Sequence, residues 1–314
     1  MSLASYLVVF LLLLLAEVLY LRLAQSFGLY DVPKARSSHS TPVLRGGGIV
    51  FYLAVLVWYI INGFDDLPFF VGLTLISAVG LADDMRGAGK LLRIVIYTVS
   101  VYLLTLSNIS LTMPLLMYLL VGVSFINVYN FMDGINGMTA FYSLQTLLVL
   151  WLLNSTIGFV NQSFIVVVAL SVLVFAIFNV RKQAKCFAGD LGAYSMSFIM
   201  LYLSSLLIEK TGDWTYAALF AVYATDTALT LLHRIAKGEN IFQAHRQHIY
   251  QILANEGHMP QLVVSAIYSG VQLAISLTLI YAPVERPVYV ICVLAALVVA
   301  FTLLRFYRRQ RFKN

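Results

Sequence analysis

The sequence predicts an all-α, polytopic membrane protein with a single domain over residues 1–314. Three observations carry this. Of the 314 residues, 61% are hydrophobic and only 11% charged; mean hydropathy is +0.88; and apolar runs long enough to span a bilayer recur along the whole chain. The two cysteines, Cys186 and Cys292, lie far apart and suggest no disulfide framework. The first 24 residues lack a basic n-region and a clear cleavage site, so they read as a retained span rather than a removed signal. No soluble domain or internal repeat is visible.

Helical spans are expected near 4–24, 46–62, 67–82, 91–107, 113–129, 139–154, 162–180, 191–208, 214–232, 261–281 and 287–305, eleven in all. Basic residues set their orientation. One set of connections holds Lys34, Arg36, Arg45, Arg86, Lys90, Arg93, Arg181, Lys182, Lys185, Arg234, Lys237, Arg246 and the tail Arg305, Arg308, Arg309, Arg311, Lys313. The opposite set holds only Lys210 and Arg286. The N-terminus is therefore expected outside and the C-terminus in the cytoplasm. The outer connections are short, and their N-x-S/T triplets at Asn108, Asn154 and Asn161 read as chance.

Nearly every group capable of chemistry falls on the inner connections, an asymmetry that argues for a site on the cytoplasmic face. A transporter would more often carry its ionisable groups near the midplane. Asp83 and Asp84 are adjacent carboxylates whose joint ionisation calls for a cation, or else they mark a solvated helix end. In "FAGDLG", Asp190 sits between glycines in a turn suited to Mg²⁺; the plainer alternative makes it the N-cap of the following helix. Asn127, Asn130, Asp133 and Asn136 are each three apart, a polar stripe if the helix continues, although the Asn and Gly content also allows it to end near Gly134. In "AHRQHIYQ", His245, Arg246 and His248 suit phosphates better than zinc, since no further ligand pair accompanies them. "SSHSTPVLRGGG" joins hydroxyls, His39, Arg45 and three glycines in a loop suited to an anion or a lipid headgroup. Acids for a metal, cations for phosphates and amides on one face together suggest phosphoryl transfer.

"RSSHSTPVLRGGGI", "GLADDMRG", "NVYNFMDGINGM", "FNVRKQAKCFAGDLG" and "KGENIFQAHRQHIYQ" occur in an order and spacing that resembles the polyprenyl-phosphate N-acetylhexosamine-1-phosphate transferases. The resemblance spans about residues 31–251 and is to the bacterial branch that starts O-antigen, capsule or teichoic-acid chains (WecA- and WbpL-like enzymes). The muramoyl-pentapeptide transferases (MraY) are more distant.

The resemblance implies that a UDP-N-acetyl sugar gives its sugar-1-phosphate to undecaprenyl phosphate in the bacterial inner membrane, with Mg²⁺ required and Mn²⁺ a substitute. By motif it implies Asp83 and Asp84 as the catalytic acidic pair, and Asp190 with Asn130 at the metal. Asp133, Asn136, Phe187 and Asn179 fall at the nucleotide, Phe187 as an aromatic for uracil. Lys90, His245, Arg246 and His248 fall at phosphate or sugar. His39 and Arg45 belong to the headgroup loop. Asn136 stands where many bacterial relatives have Asp, and Ala188 where Met is usual. The loop sequences disfavour a muramoyl-pentapeptide substrate. The partners implied are the UDP-sugar, the lipid phosphate and membrane lipids, with no nucleic acid; a homodimer is compatible with the sequence but not indicated by it.

Overall fold

The computed structural model describes residues 1–33, 37–107, 113–241, 243 and 245–311, with side chains as far as Tyr307. Lys34, Arg36, Asn108, Lys313 and the side chains of Arg308, Arg309 and Arg311 lie outside this description.

The helices are α1 (Leu3–Ser26), α2 (Ile49–Asn62), α3 (Leu67–Arg86), α4 (Lys90–Leu104), α5 (Leu115–Met132), α6 (Met138–Ile157), α7 (Gln162–Asn179), α8 (Gly189–Thr211), α9 (Ala221–Ala236), the one-turn α10 (Ile249–Gln251), α11 (Gln261–Tyr281) and α12 (Arg286–Arg311). A 3₁₀ stretch, Trp214–Phe220, leads into α9, and a π turn, Ile252–Glu256, follows α10. Among the described residues, nine helical segments are long and apolar enough to cross a membrane: α1, α3, α5, α6, α7, α8, the 3₁₀–α9 unit, α11 and α12. The other two expected spans are shorter, 14 residues in α2 and 15 in α4. At 1.5 Å per residue neither covers a ~30 Å hydrocarbon core alone, and α4 carries Lys90 and Arg93 in its first turn.

Helix α8 is the axis of the bundle and is buried along most of its length. It packs on α3, α5 and α2. Lipid tails are as apolar as leucine, so close backbone approach holds such helices together. Gly80 of α3 lies against Leu191, and Gly72 against Phe198. Inside the bundle several polar groups pair across helices, Ser77 with Ser195 and Tyr129 with Ser143 among them, while Glu17 Oε2, Ser100 Oγ, Gln145 Oε1, Ser204 Oγ and Thr227 Oγ1 are buried without a hydrogen-bond partner among the described residues. Where the 3₁₀ stretch meets α9 the regular ladder breaks, and Gln272 of α11 repairs it. Its amide donates to the Ala218 carbonyl at 2.9 Å, and its carbonyl oxygen accepts from Val222 N at 3.0 Å.

The all-α expectation holds except for one small addition. β1 (Tyr30–Asp31) and β2 (Val43–Leu44) pair antiparallel, and Leu44 bridges to Cys186. This pairing ties the 31–48 loop to the loop before α8. Asn154 is buried, with its oxygen accepting from Phe159 N and Val160 N, and Asn161 caps α7. Both asparagines thus have structural work in their turns.

Candidate active site

The polar connections converge on one cavity of about 220 Å³ at one end of the bundle. Its lining comes from all but one of the motif segments: Asp31, Ser37, Ser38, His39 and Arg45; Asn130, Asp133, Gly134 and Ile135; Asn179, Phe187, Gly189 and Asp190; and His245 with Gln251. The fifth, "GLADDMRG", supports the floor from behind.

The floor is set by α3 and α8. Asp84, in the last turn of α3, accepts the backbone N–H of Asp190 at 3.0 Å and of Leu191 at 3.1 Å. Asp84 therefore caps α8 from a neighbouring helix, and its side chain is 2% exposed. The plainer reading of Asp190 as an N-cap falls, because α8 starts at Gly189 and Ala188 occupies the cap position. A solvated helix end falls too, since Asp83 is likewise nearly buried. Gly189 has φ +73°, and a Cβ there would lie 2.4 Å from the Asp84 carboxylate, so only glycine lets the two segments meet.

Asp190 points its carboxylate into the cavity, and Asn130 donates its amide N–H to Oδ1 at 2.8 Å. Asp83 faces away from the lining. Its oxygens accept from Ala88 N at 2.7 Å, Arg93 at 2.8 Å and the Tyr194 hydroxyl at 3.1 Å.

One wall is the 31–48 loop. Arg45 bridges two carboxylates, Asp31 at 3.2 Å and Asp84 at 3.8 Å. His39 Nε2 lies 3.3 Å from the Asp31 carbonyl and 3.7 Å from its carboxylate. The His39 ring meets Phe187 edge-on, with centroids 4.9 Å apart. Asp31 was not singled out in the sequence; its signal was its place at the loop's entrance, two residues before Pro33.

The opposite wall is the end of α5. The helix stops at Met132 with Asp133 as C-cap, so the Asn127–Asn136 spacing does not give one continuous stripe. Asn127 bonds within its own helix, to the Val123 carbonyl. Asp133 is half-buried and accepts from the Thr139 hydroxyl at 2.5 Å. Burial pushes its carboxyl up to about 6, with Thr139 opposing and the charge of Asp190 adding. Asn136 turns behind the wall instead: its amide donates to the Arg181 and Lys182 carbonyls at 2.9 and 3.3 Å. Asn179 lines the cavity, but its amide is spent on Gly137 N and the Cys186 carbonyl.

His245 sits at the rim. Among the described residues its buried Nδ1 has no hydrogen-bond partner, and burial, then the charges of His248 and Arg234, push its pKa down to about 4. Arg246 is half-buried beside it, outside the lining. His248 departs from the expected phosphate-facing position: it is 3% exposed and lies 3.5 Å from the Asp226 carboxylate. Lys90 is exposed at the start of α4, also outside the lining.

Carboxylates, amides and an aromatic thus surround a space floored by a helix N-terminus. Residues 67–208, covering α3 to most of α8, match the profile of glycosyl transferase family 4. Over this segment the chain is similar to that family. The chain is 26% identical over 289 residues to the decaprenyl-phosphate N-acetylglucosaminephosphotransferase of Mycobacterium leprae, spanning 75% of this chain and 72% of that protein. It is 23% identical over 248 residues to the undecaprenyl-phosphate alpha-N-acetylglucosaminyl 1-phosphate transferase of Thermotoga maritima, spanning 76% and 78%. A shorter likeness, 28% over 144 residues, covers 41% of this chain and 40% of the phospho-N-acetylmuramoyl-pentapeptide-transferase of Streptococcus suis. The matched segment holds Asp83, Asp84, Asn130, Asp133 and Asp190; the 31–48 and 237–251 loops lie outside it.

Proposed function

We propose that the transferase moves a sugar-1-phosphate from a UDP-N-acetylhexosamine to undecaprenyl phosphate at the cytoplasmic face of the bacterial inner membrane. The products are a lipid-linked pyrophosphoryl sugar and UMP, and the step starts O-antigen, capsule or a related envelope polysaccharide. The observation that carries the reading is the convergence of the separate polar loops on one cavity beside Asp190. The names of the mycobacterial and Thermotoga relatives support the polyprenyl phosphate and the N-acetylglucosamine class.

A divalent cation fits the donor set. Asp190 presents a hard carboxylate beside the Asn130 amide, and among the described residues no cluster of three or more His, Cys, Asp or Glu forms a cage. That suits Mg²⁺, which is held by one or two carboxylates together with substrate phosphates. Asp190 would hold it, with Asn130 orienting that carboxylate, and when bound it would neutralise charge developing on the pyrophosphate.

The chain's own residues do the positioning. The lipid phosphate is mostly dianionic at pH 7, its second pKa being near 6, so its oxygen attacks the β-phosphorus without a strong general base. The β-phosphorus–bridging-oxygen bond breaks, and that oxygen leaves with UMP. With three donors already on Asp83, its role is to tie Arg93 and Tyr194 together behind the floor rather than to take a proton. Asp84 holds the Asp190 backbone. Asp133 and Phe187 face the nucleotide, and His245 the sugar.

Purified protein given undecaprenyl phosphate, Mg²⁺ and a panel of UDP-sugars, with UDP-muramoyl-pentapeptide included, should yield UMP and lipid product with an N-acetylhexosamine donor. Product only from the muramoyl donor would move the chain to the Streptococcus-like activity. Solute uptake in proteoliposomes without UMP would make it a transporter. UMP release or UMP exchange without lipid would replace the single displacement by a covalent aspartyl intermediate.

A further inference from the structure

We infer that Gln261, in the first turn of α11, is a positioning residue that fastens the two walls of the cavity together. The amide of Gln261 donates to the Ser38 carbonyl, and its oxygen accepts from Asn136 N at 2.9 Å. One side chain therefore joins the 37–39 loop to the turn that carries Asp133, Gly134 and Ile135. Neither motif contains it, and both line the cavity.

Two neighbouring contacts make the fastening directional. One turn on, the Ser265 hydroxyl donates to the Asn136 carbonyl at 2.8 Å, so α11 grips that residue at both its N–H and its C=O. Across the gap, Asn255 donates to the Ser38 hydroxyl at 3.0 Å and to the Gln251 carbonyl at 2.8 Å. The turn side is fixed by three anchors: Gln261, Ser265 and the Asn136 side chain's own bonds to the Arg181 and Lys182 carbonyls. On the loop side, the Ser38 backbone carbonyl is held by Gln261 and the side chain by Asn255, while the His39 contacts among the described residues run to Asp31 and Phe187 and not to α11. Losing Gln261 should therefore free the loop more than the turn. A preformed cavity spends less ordering entropy on its ligand, so the effect should fall on donor binding and not on the chemical step.

The kinetic part of this inference rests on the UDP-sugar reading; the structural part does not. Two variants separate the arms. Gln261→Met keeps length and loses both bonds. Gln261→Glu keeps the acceptor for Asn136 N–H but sets a carboxylate against the Ser38 carbonyl. In a Cys292→Ser background, where the remaining native thiol Cys186 is buried, Ser37→Cys reports the loop through its rate of modification by a charged maleimide in detergent. Either Gln261 variant should speed that labelling by about fivefold or more, and raise KM for the UDP-sugar about tenfold, equivalent to ~1.4 kcal/mol, with kcat within about threefold. Unchanged labelling in both variants would overturn the inference, as would a fall in kcat at constant KM. If Gln261→Met fails to fold, Gln261→Glu and Asn255→Ala carry the labelling test. Faster labelling with no turnover of any donor by the parent enzyme would uphold the fastening and sink the substrate reading instead.

Discussion

Asp84 holds Asp190 by its backbone: one carboxylate, on α3, takes the N–H of the residue whose carboxylate enters the cavity, at 3.0 Å. The two side chains therefore have separable tasks. Asp190→Asn should cut kcat by about 10²–10³-fold, the cost of losing a well-placed electrostatic group, and raise the Mg²⁺ concentration needed for half-maximal rate. Asp84→Asn keeps an oxygen for one of the two N–H groups, so it should lower kcat by about tenfold with little change in the Mg²⁺ requirement. Both are read from UMP release against Mg²⁺ titration. Near-normal Mg²⁺-dependent turnover by Asp190→Asn would remove that residue from the metal.

Asp133 makes a prediction about pH with two readouts. Its folded pKa, pushed up to about 6, lies above the ordinary carboxylate value of about 3.9. The folded protein therefore keeps this proton longer than the unfolded chain. Stability from the group is full below about pH 4 and is lost as pH rises through 6. Asp133→Asn, which retains an oxygen for the Thr139 hydroxyl, should raise the melting temperature at about pH 7.5 and leave it unchanged near pH 4. In the parent enzyme, KM for the UDP-sugar should rise as pH falls through 6, because the ionised acceptor is lost. In Asp133→Asn that KM should be raised throughout and flat with pH.

His245 is the opposite case. With its pKa pushed down to about 4, it is a neutral imidazole near pH 7, so the proposed contact with the sugar is a hydrogen bond and not a charge pair. His245→Asn should lower kcat/KM by about tenfold while the profile from about pH 5.5 to 8.5 keeps the parent's shape. A parent profile with a limb near pH 6.5 that vanishes in His245→Asn would show the imidazolium to be the working form.

What the sequence made legible follows from the range of each interaction. Long apolar runs report themselves within one window, so all eleven helices lie near their expected positions. The lengths of α2 and α4 were harder to foresee, because the uncharged residues Gly46, Gly47 and Gly48 before α2, and Thr105, Leu106 and Ser107 after α4, do not interrupt an apolar window although they lie outside the helix. The carboxylates and amides of the site were visible as types, but their partners were not: Asp84 and Asp190 are separated by 106 residues. The spacing of Asn130, Asp133 and Asn136 misled in part, because the rule of three holds only while the helix lasts, and it ends at Met132. Gln261 gave no signal at all. It opens an apolar helix after a proline, and only the folded chain sets Ser38 and Asn136 on either side of it.

The glycines of "LRGGG" and "AGDLG" carry a last prediction. Gly48, at the N-terminus of α2, and Gly192, in the first turn of α8, meet backbone to backbone. A Cβ on Gly48 would lie 2.2 Å from Gly192 Cα, and one on Gly192 would lie 2.6 Å from Gly48 Cα. Both backbones are pinned nearby: Gly47 N donates to the Phe187 carbonyl at 2.9 Å and Gly48 N to the Ala188 carbonyl at 3.1 Å. Neither side can yield without breaking these bonds and moving Asp190. Overpacking typically costs about 1–3 kcal/mol where side chains can adjust; here backbone must move, so the cost should reach or exceed that range. Gly48→Ala and Gly192→Ala should each reduce the yield of monodisperse protein and lower its melting temperature. Gly270→Ala is the control: it lies in α11 with nothing within 4 Å of the added methyl, and alanine is the better helix former. Gly270→Ala should match or exceed the parent's melting temperature. If Gly48→Ala behaved like Gly270→Ala, the contact between the 46–48 loop and α8 would not be what seats Asp190.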